Sequence, residues 1–112
     1  MAVNVELLTK VMEHIEGNPE EHDQSQWARQ TECGTKYCFA GHTVFMSGWT
    51  PEFDEDSTAA FCVSGDNEQR CIESLAKELL GLSGYQAERL FFECEDLPSV
   101  RRYVGVLLME AE

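Results

Sequence analysis

Residues 37–47 carry the clearest information about the fold and read Tyr37-Cys-Phe-Ala-Gly-His-Thr-Val-Phe-Met-Ser47. A helix drawn through this stretch is apolar on nearly every side, which is typical of a helix buried all round. Gly41 inside it costs about 1 kcal/mol relative to alanine. Its benefit is expected to be the close approach of a neighbouring backbone. We therefore predict a central buried helix that ends at Gly48.

Another helix is predicted near the N-terminus, with Asn4 as its cap. His14, at the polar edge of this helix, is expected to be solvated. Gly17-Asn18-Pro19 should end the helix, because glycine suits the C-terminal cap and proline cannot continue the helix. Six apolar residues recur at helical spacing and define its inner face: Val3, Leu7, Leu8, Val11, Met12 and Ile15.

The last third of the chain predicts three more helices. The first is expected to begin at Asp66 or Asn67 and to end at Gly81. Ser83 is the predicted cap of a short second helix, and Asp96 is the predicted cap of the last one. The short connections indicate that these helices pack as neighbours. The second helix is predicted to carry four apolar residues: Ala87, Leu90, Phe91 and Phe92.

Residues 49–67 lack a helical pattern. A short strand over residues 59–63 and a turn over residues 64–67 predict a small β-hairpin, and an irregular insertion is the alternative. We therefore predict a single domain over residues 1–112 that is mainly α. It would be a compact bundle of about five short helices, with the hairpin or irregular insertion near residues 49–67.

The charge is strongly negative, with 21 acidic residues against 8 basic ones and a formal net charge of -13. Such a field repels phosphate backbones and anionic membrane surfaces, so we expect no direct binding of nucleic acid or membrane. It favours a basic protein partner. The chain has no apolar run of membrane-spanning length and no secretory signal at its start, which predicts a cytoplasmic protein.

Three residues have a spacing that metal ligands can adopt. Cys33, Cys38 and His42 are arranged Cys-x4-Cys-x3-His, and Cys38 and His42 would share one face of a helix. His22 or Cys62 would supply a fourth ligand for tetrahedral Zn²⁺, since thiolate and imidazole are suitable ligands. The sequence therefore offers a candidate structural zinc site.

Other chemistry fits the same residues. Free cysteines in a reducing compartment commonly pack in the core, and Cys33 and Cys38 would alternatively form a disulfide or redox pair. A thiolate paired with His22 or His42, oriented by Asp23, would be the site of a thiol enzyme. The sequence contains no signature of a cysteine hydrolase, so we expect no catalysis and no cofactor other than the candidate zinc.

Two motifs carry a resemblance. They are His22-Asp23-Gln24 with Trp27, and Cys33-Gly-Thr-Lys-Tyr-Cys-Phe-Ala-Gly-His42. The chain resembles a group of uncharacterised small proteins from actinobacteria and their phages. The resemblance implies an intracellular helical protein with a small irregular or β insertion, and it implies no activity. Many members of the group carry Trp where this chain has His42, which would remove a zinc ligand.

The functional expectation is a small acidic protein-interaction or regulatory module. Trp49 and Phe53 are predicted as exposed anchors of the contact, beside the acidic run Asp54-Glu55-Asp56. If a phage carries the gene, a host protein is the expected target. The alternative is a small structural zinc protein built on Cys33, Cys38 and His42, and the third hypothesis is a thiol enzyme.

Overall fold

The computed structural model describes residues 3–24, 26–32 and 34–111, and in them it contains five α-helices and six short β-strands. The helices are α1 (Val5–Gly17), α2 (Phe39–Met46), α3 (Ile72–Leu80), α4 (Gly84–Glu88) and α5 (Leu97–Glu110). The strands are β1 (Ala28–Thr31), β2 (Gly34–Tyr37), β3 (Thr50–Glu52), β4 (Thr58–Ala59), β5 (Phe61–Val63) and β6 (Gln69–Cys71). A 3-10 turn (Pro19–Glu21) follows α1, and a π-helical turn (Arg89–Glu93) follows α4.

The strands form two antiparallel sheets of three strands each, ordered β2-β1-β4 and β3-β5-β6. The prediction of a mainly α bundle with one small hairpin is therefore wrong. Five helices are present in the described residues, but the fold is a mixture of helices and sheets.

The hairpin of β1 and β2 was not predicted. Its register pairs Ala28 with Tyr37 and Thr31 with Gly34. Only Ala28 and Tyr37 are buried, and the strand residues between them are polar and at least partly exposed. A strand that buries one residue shows no alternation of apolar and polar residues, so periodicity does not reveal it.

The middle of the chain contains more strand than one hairpin. The strand predicted over residues 59–63 is two strands: β4 pairs with β1 in the first sheet, and β5 pairs with β3 and β6 in the second. The predicted turn over residues 64–67 is confirmed. Ser64 accepts hydrogen bonds from the amides of Asp66 and Glu68, and Asn67 takes the left-handed conformation with φ 66°.

The start of α3 differs from the prediction as well. The helix begins at Ile72, five residues after Asn67, because Gln69–Cys71 pairs with β5. The Ile72 amide donates to the carbonyl of Ala60 at 3.0 Å, which joins the helix to the connection between the two sheets. The pairing of β6 with β5 therefore overrides the earlier helix start that the local sequence favours.

The other helix ends follow the sequence. Asn4 and Asp96 cap α1 and α5, and Ser83 forms a capping box with Gln86 at the start of α4. Gly81 ends α3 in the left-handed conformation at φ 68°, which glycine adopts without a steric cost. These signals depend on neighbouring residues only, so the sequence predicts them well.

The core surrounds α2. Its first six residues, Phe39 to Val44, are buried, and helices α1 and α3 pack against it. Both sheets contribute to the same buried cluster, through Ala28 and Tyr37 from the first and Cys62 from the second. The predicted central buried helix is therefore confirmed for these six residues, but α2 ends at Met46, before Gly48, and Phe45 and Met46 are exposed.

Candidate functional site

A short segment after the 3-10 turn lies along the start of α2. We call it the strap, meaning residues His22, Asp23, Gln24 and Gln26. The Asp23 amide donates to the Tyr37 carbonyl at 2.9 Å, and the Cys38 amide donates to the Gln26 carbonyl at 3.0 Å. These backbone bonds hold the strap beside the N-terminal end of α2.

Gly41 explains how closely the chain after the strap approaches α2. A Cβ added at Gly41 would lie 1.8 Å from the backbone oxygen of Trp27, a distance that no side chain tolerates. The predicted close approach is thus confirmed, and the neighbouring backbone is that of Trp27. This close approach fixes the position of the Trp27 backbone, from which the Trp27 ring extends.

Trp27 forms one wall of an aromatic cleft. Its ring meets the edges of two other rings in T-shaped contacts, Phe91 with centroids 6.1 Å apart and Phe92 with centroids 5.4 Å apart. The cleft has a volume of about 470 Å³. Its lining consists of Gln24, Gln26, Trp27, Cys38, Phe91, Phe92, Cys94 and Glu95.

The π-helical turn supplies the opposite wall. Adjacent residues of a helix point in directions about 100° apart, so Phe91 and Phe92 cannot both face the core. Phe91 is 4% exposed, whereas Phe92 is 54% exposed. The predicted short helix ends at Glu88, so both rings lie in the π-helical turn after it, and two adjacent large aromatics were the sequence signal that one of them faces outward.

Gln24 separates the cleft from the buried polar groups behind it. Its Nε2 donates to the Leu90 carbonyl in the π-helical turn at 3.0 Å, and its Oε1 accepts from the Phe39 amide at 3.2 Å. These two bonds fix the orientation of the amide. Its Oε1 also lies 2.8 Å from Nε2 of His22, so Nε2 of His22 carries the proton and donates.

Behind Gln24 lie all three histidines of the chain, which we call the histidine cluster: His14, His22 and His42. The His42 ring is central, with its centroid 5.4 Å from that of His14 and 6.4 Å from that of His22. The Tyr37 ring lies 5.0 Å away on another side. The prediction of a merely solvated His14 overlooked this cluster, because it forms from three segments distant in sequence.

His42 is completely buried, and one of its two nitrogens is satisfied. Nε2 lies 3.2 Å from the Glu21 carbonyl, and since a carbonyl only accepts, Nε2 carries the proton. Nδ1 is buried and has no hydrogen-bond partner among the described residues. It is therefore a bare acceptor inside the core.

This environment opposes a charge on His42 and on His22. The pKa of His42 is lowered to about 3, chiefly by burial and also by the proximity of His14 and His22, and only the Glu21 carbonyl acts in the opposite direction. Burial also lowers the pKa of His22, against the opposing effects of Gln24 and Asp23. At neutral pH both rings are neutral.

Of the candidate zinc ligands Cys33, Cys38, His42, His22 and Cys62, the structure brings the rings of His22 and His42 together. Cys33 lies outside the described residues. Cys38 is occupied elsewhere, because its Sγ caps α2 by accepting the Gly41 amide at 3.4 Å. In the described ranges, no group of three or more His, Cys, Asp or Glu side chains is arranged to hold a metal ion, and zinc binding stays a prediction.

The Cys38 thiol is also unsuited to the other chemistry. Burial raises its pKa to about 12, so it is protonated at neutral pH, and the thiolate is the form that binds metal or attacks a substrate. Burial likewise raises the pKa of Cys62 to about 11. Both thiols behave as small apolar groups in the core.

The predicted interaction residues lie at β3 and in the loop after it. Trp49 and Phe53 are half-buried and pack against the core, so each presents only part of its ring. The Asp54 carboxylate accepts bonds from the amides of Asp56 and Thr58 and so stabilises its own turn. Glu55 and Asp56 are exposed. Their role in binding stays a prediction.

Comparison with known proteins returned no match: no family model, curated protein or solved structure is similar to this chain. Among the described helices, none is both long and apolar enough to cross a membrane. The geometry of the cleft and of the histidine cluster is therefore the basis for inferring function.

Proposed function

We propose that this protein is a small protein-binding module that holds a positively charged segment of a partner protein in the aromatic cleft. The observation that carries the proposal is the pair of Trp27 and Phe92, two large rings that form an open cleft. Phe92 is held with more than half of its side chain in solvent. What distinguishes Phe92 from the other exposed rings is its position against the Trp27 ring, which makes the cleft an apolar surface that a partner side chain can cover.

The shape of the cleft supports this use. Its volume of about 470 Å³ lies in the range of roughly 300–1,000 Å³ that is usual for ligand sites. Trp27, Phe91 and Phe92 offer ring faces and edges to an aliphatic or aromatic side chain. Tryptophan is among the residues that contribute most to binding energy at protein interfaces.

Charge supports the choice of a basic partner. The chain carries a formal net charge of -13, and the exposed Glu95 lines the cleft. Long-range attraction accelerates encounter with a positively charged segment, and the Glu95 carboxylate then favours an orientation that brings a cation beside it. An acidic peptide with the same apolar anchor would be repelled.

The test uses a random peptide display library selected on the purified protein. The Trp49→Phe background leaves Trp27 as the only tryptophan, so its fluorescence reports on the cleft. We expect the selected peptides to combine lysine or arginine with one large apolar residue, and to shift the emission of Trp27. Phe92→Ala should weaken their binding at least tenfold.

Phe61→Ala is the matched control. Phe61 is 49% exposed on β5, close to the exposure of Phe92, and it does not line the cleft. Its removal should leave the affinity within about twofold. Equal affinities for wild type and Phe92→Ala, or a dominant loss with Phe61→Ala, would place the binding surface elsewhere and refute the proposal.

A further inference from the structure

We propose that the group seated in the aromatic cleft is a methylated ammonium, carried by a trimethyllysine side chain of the partner protein. The inference rests on the proposed function, because it names the chemistry that the same cleft selects. A trimethylammonium group carries its positive charge inside a shell of methyl groups. One side chain would thus supply both the cation and the apolar anchor that the proposed function requires.

The rings of the cleft are arranged to hold a rounded cation. The plane of the Trp27 ring lies at 86° to that of Phe92 and at 87° to that of Phe91. Two ring planes at nearly a right angle form a corner, in which one compact group can contact both rings. The face of an aromatic ring is negative and attracts a cation within about 6 Å of the ring centroid, and tryptophan does so most strongly. Phe92 is 54% exposed, so the corner is open to solvent.

Gln24 lines the cleft but its amide oxygen is already engaged elsewhere. The Oε1 atom accepts from the Phe39 amide at 3.2 Å and lies 2.8 Å from Nε2 of His22, so both of its lone pairs are used. The Nε2 atom donates to the Leu90 carbonyl at 3.0 Å. A ligand in the cleft therefore gains no acceptor from this amide.

The two thiols of the lining are engaged as well. Cys38 Sγ accepts from the Gly41 amide at 3.4 Å, and Cys94 Sγ donates to the Ser99 carbonyl at 3.6 Å. Sulfur is in any case a weak acceptor. Among the side chains that line the cleft, the acceptors left for a ligand are the Gln26 amide and the Glu95 carboxylate.

This lining favours a cation that has no N–H protons. A lysine ammonium has three N–H donors and a guanidinium has five. A donor that leaves water without gaining an acceptor is penalised, and ring carbons offer it no lone pair. Methyl groups need no acceptor and gain from contact with the rings. The Glu95 carboxylate then supplies a negative charge beside the cation, and the net charge of -13 attracts the cation from a distance.

Choline and its carbon isostere test the recognition of the cation directly. The isostere is the neutral alcohol in which a tert-butyl group replaces the trimethylammonium, so the two probes share one shape and differ in charge. The Trp27 emission is followed in the Trp49→Phe background, with sodium chloride keeping the ionic strength constant. We expect choline to bind about tenfold more tightly than the isostere. Equal affinities for the two probes, or no response to choline, would refute the inference.

Three variants locate the choline site. Phe92→Ala removes one wall of the corner and leaves every charge in place, so it should weaken choline binding at least fivefold. Phe61→Ala, the matched control outside the cleft, should leave the affinity within about twofold. Glu95→Gln should weaken choline binding roughly threefold and leave the neutral isostere unchanged. Equal choline binding by Phe92→Ala and Phe61→Ala would mean that only the overall negative charge attracts the cation, and the inference would be wrong.

A pair of peptides tests whether the methylated group comes from a protein. We expect a short glycine-serine peptide with one central trimethyllysine to bind at least tenfold more tightly than the same peptide with unmodified lysine. Equal affinities of the two peptides, beside clear binding of choline, would mean that the cleft takes a free small molecule and would overturn the assignment to a partner protein.

The inference and the proposed function fail in different measurements, because a displayed peptide library contains no methylated lysine. Library peptides that bind the cleft, together with equal affinities for choline and its isostere, would refute the inference alone. A trimethyllysine peptide that binds where no library peptide does would refute the binding of unmodified segments and support the inference.

Discussion

The two ends of α2 are similarly apolar in sequence but have opposite surroundings. At the N-terminal end, Gly41 touches the Trp27 backbone and His42 is sealed behind the strap. At the C-terminal end, Phe45 is 50% exposed and Met46 is also open to solvent. The helix is therefore buried at its N-terminal end and exposed at its C-terminal end, and it does not have one buried face and one exposed face.

The difference shows that the contribution of an apolar residue in α2 to stability depends on which element covers it. Six residues gain a complete cover from the strap, α1 and α3, while the last two extend beyond that cover. We therefore expect substitutions to lower the free energy of unfolding most at the N-terminal end of α2 and least at its C-terminal end. The following variants test that order.

Gly41→Ala should have the largest effect. Its Cβ would overlap the backbone oxygen of Trp27 at 1.8 Å, and a backbone cannot yield as a flexible side chain does. We expect a loss of about 3 kcal/mol or more in the free energy of unfolding, or failure to fold. Urea denaturation measures it.

Gly105→Ala provides the control for that substitution. Gly105 lies within α5, and a Cβ there would meet nothing within 4 Å. Alanine should stabilise the protein by about 0.5–1 kcal/mol, because glycine is a poor helix former. If Gly41→Ala behaved like Gly105→Ala, the close approach of Trp27 to α2 would be wrong.

Acid should have the next largest effect, through His42 at the buried end of α2. The pKa of His42 is lowered to about 3 in the folded protein from about 6.5 when unfolded. Its contribution to stability is thus complete above pH 6.5 and is lost as the pH falls towards 3. Between pH 7 and pH 5 we expect His42 to account for a loss of up to about 2 kcal/mol.

Urea denaturation at the two pH values, in wild type and His42→Gln, checks this expectation. Carboxylates such as Asp96, whose pKa is lowered by its bonds to Ser99, destabilise both proteins equally in acid. The difference between the two proteins therefore isolates His42. An identical loss in both would show that the pKa of His42 is the same in the folded and unfolded states, so that burial does not lower it.

Cys38→Ala should lower the free energy of unfolding by a smaller amount. It removes the sulfur that accepts the Gly41 amide at the start of α2, and losing a cap typically costs about 1 kcal/mol. Cys38→Ser keeps an acceptor there and should lose less than Cys38→Ala. Thermal unfolding of both variants compares them, and a more stable alanine variant would show that the sulfur acts only by filling space.

Met46→Ala should have the smallest effect, within about 0.5 kcal/mol of wild type, because Met46 lies at the exposed end of α2. The same urea titration applies. A loss comparable to that of Cys38→Ala would mean that the C-terminal end of α2 is covered in solution, for example by a second molecule.

The helices were predictable because their signals are local. Asn4, Ser83 and Asp96 each bond an amide three residues away, and Gly81 needs only its own backbone freedom. The sheets were not predictable by the same means. The residues of β1 are mostly polar, and β6 became a strand only because β5 lies beside it.

The site was predictable only in part. His22, His42 and Trp27 were identified from the sequence, as was the close packing at Gly41. The addition of His14 and Phe92 depends on α1 and the π-helical turn meeting the strap, a contact between segments far apart in the chain. No pattern within a short window contains that information.

The position of Ala60 affects how the molecule unfolds. It is the single residue between β4, in the first sheet, and β5, in the second, and its carbonyl also holds the first amide of α3. A connection of one residue is too short for either sheet to detach while the other remains folded. Unfolding should consequently be one cooperative event, and a chain cut at Ala60 would separate β3 from β5 and β6, which divides the second sheet between the two halves and leaves neither half able to fold independently.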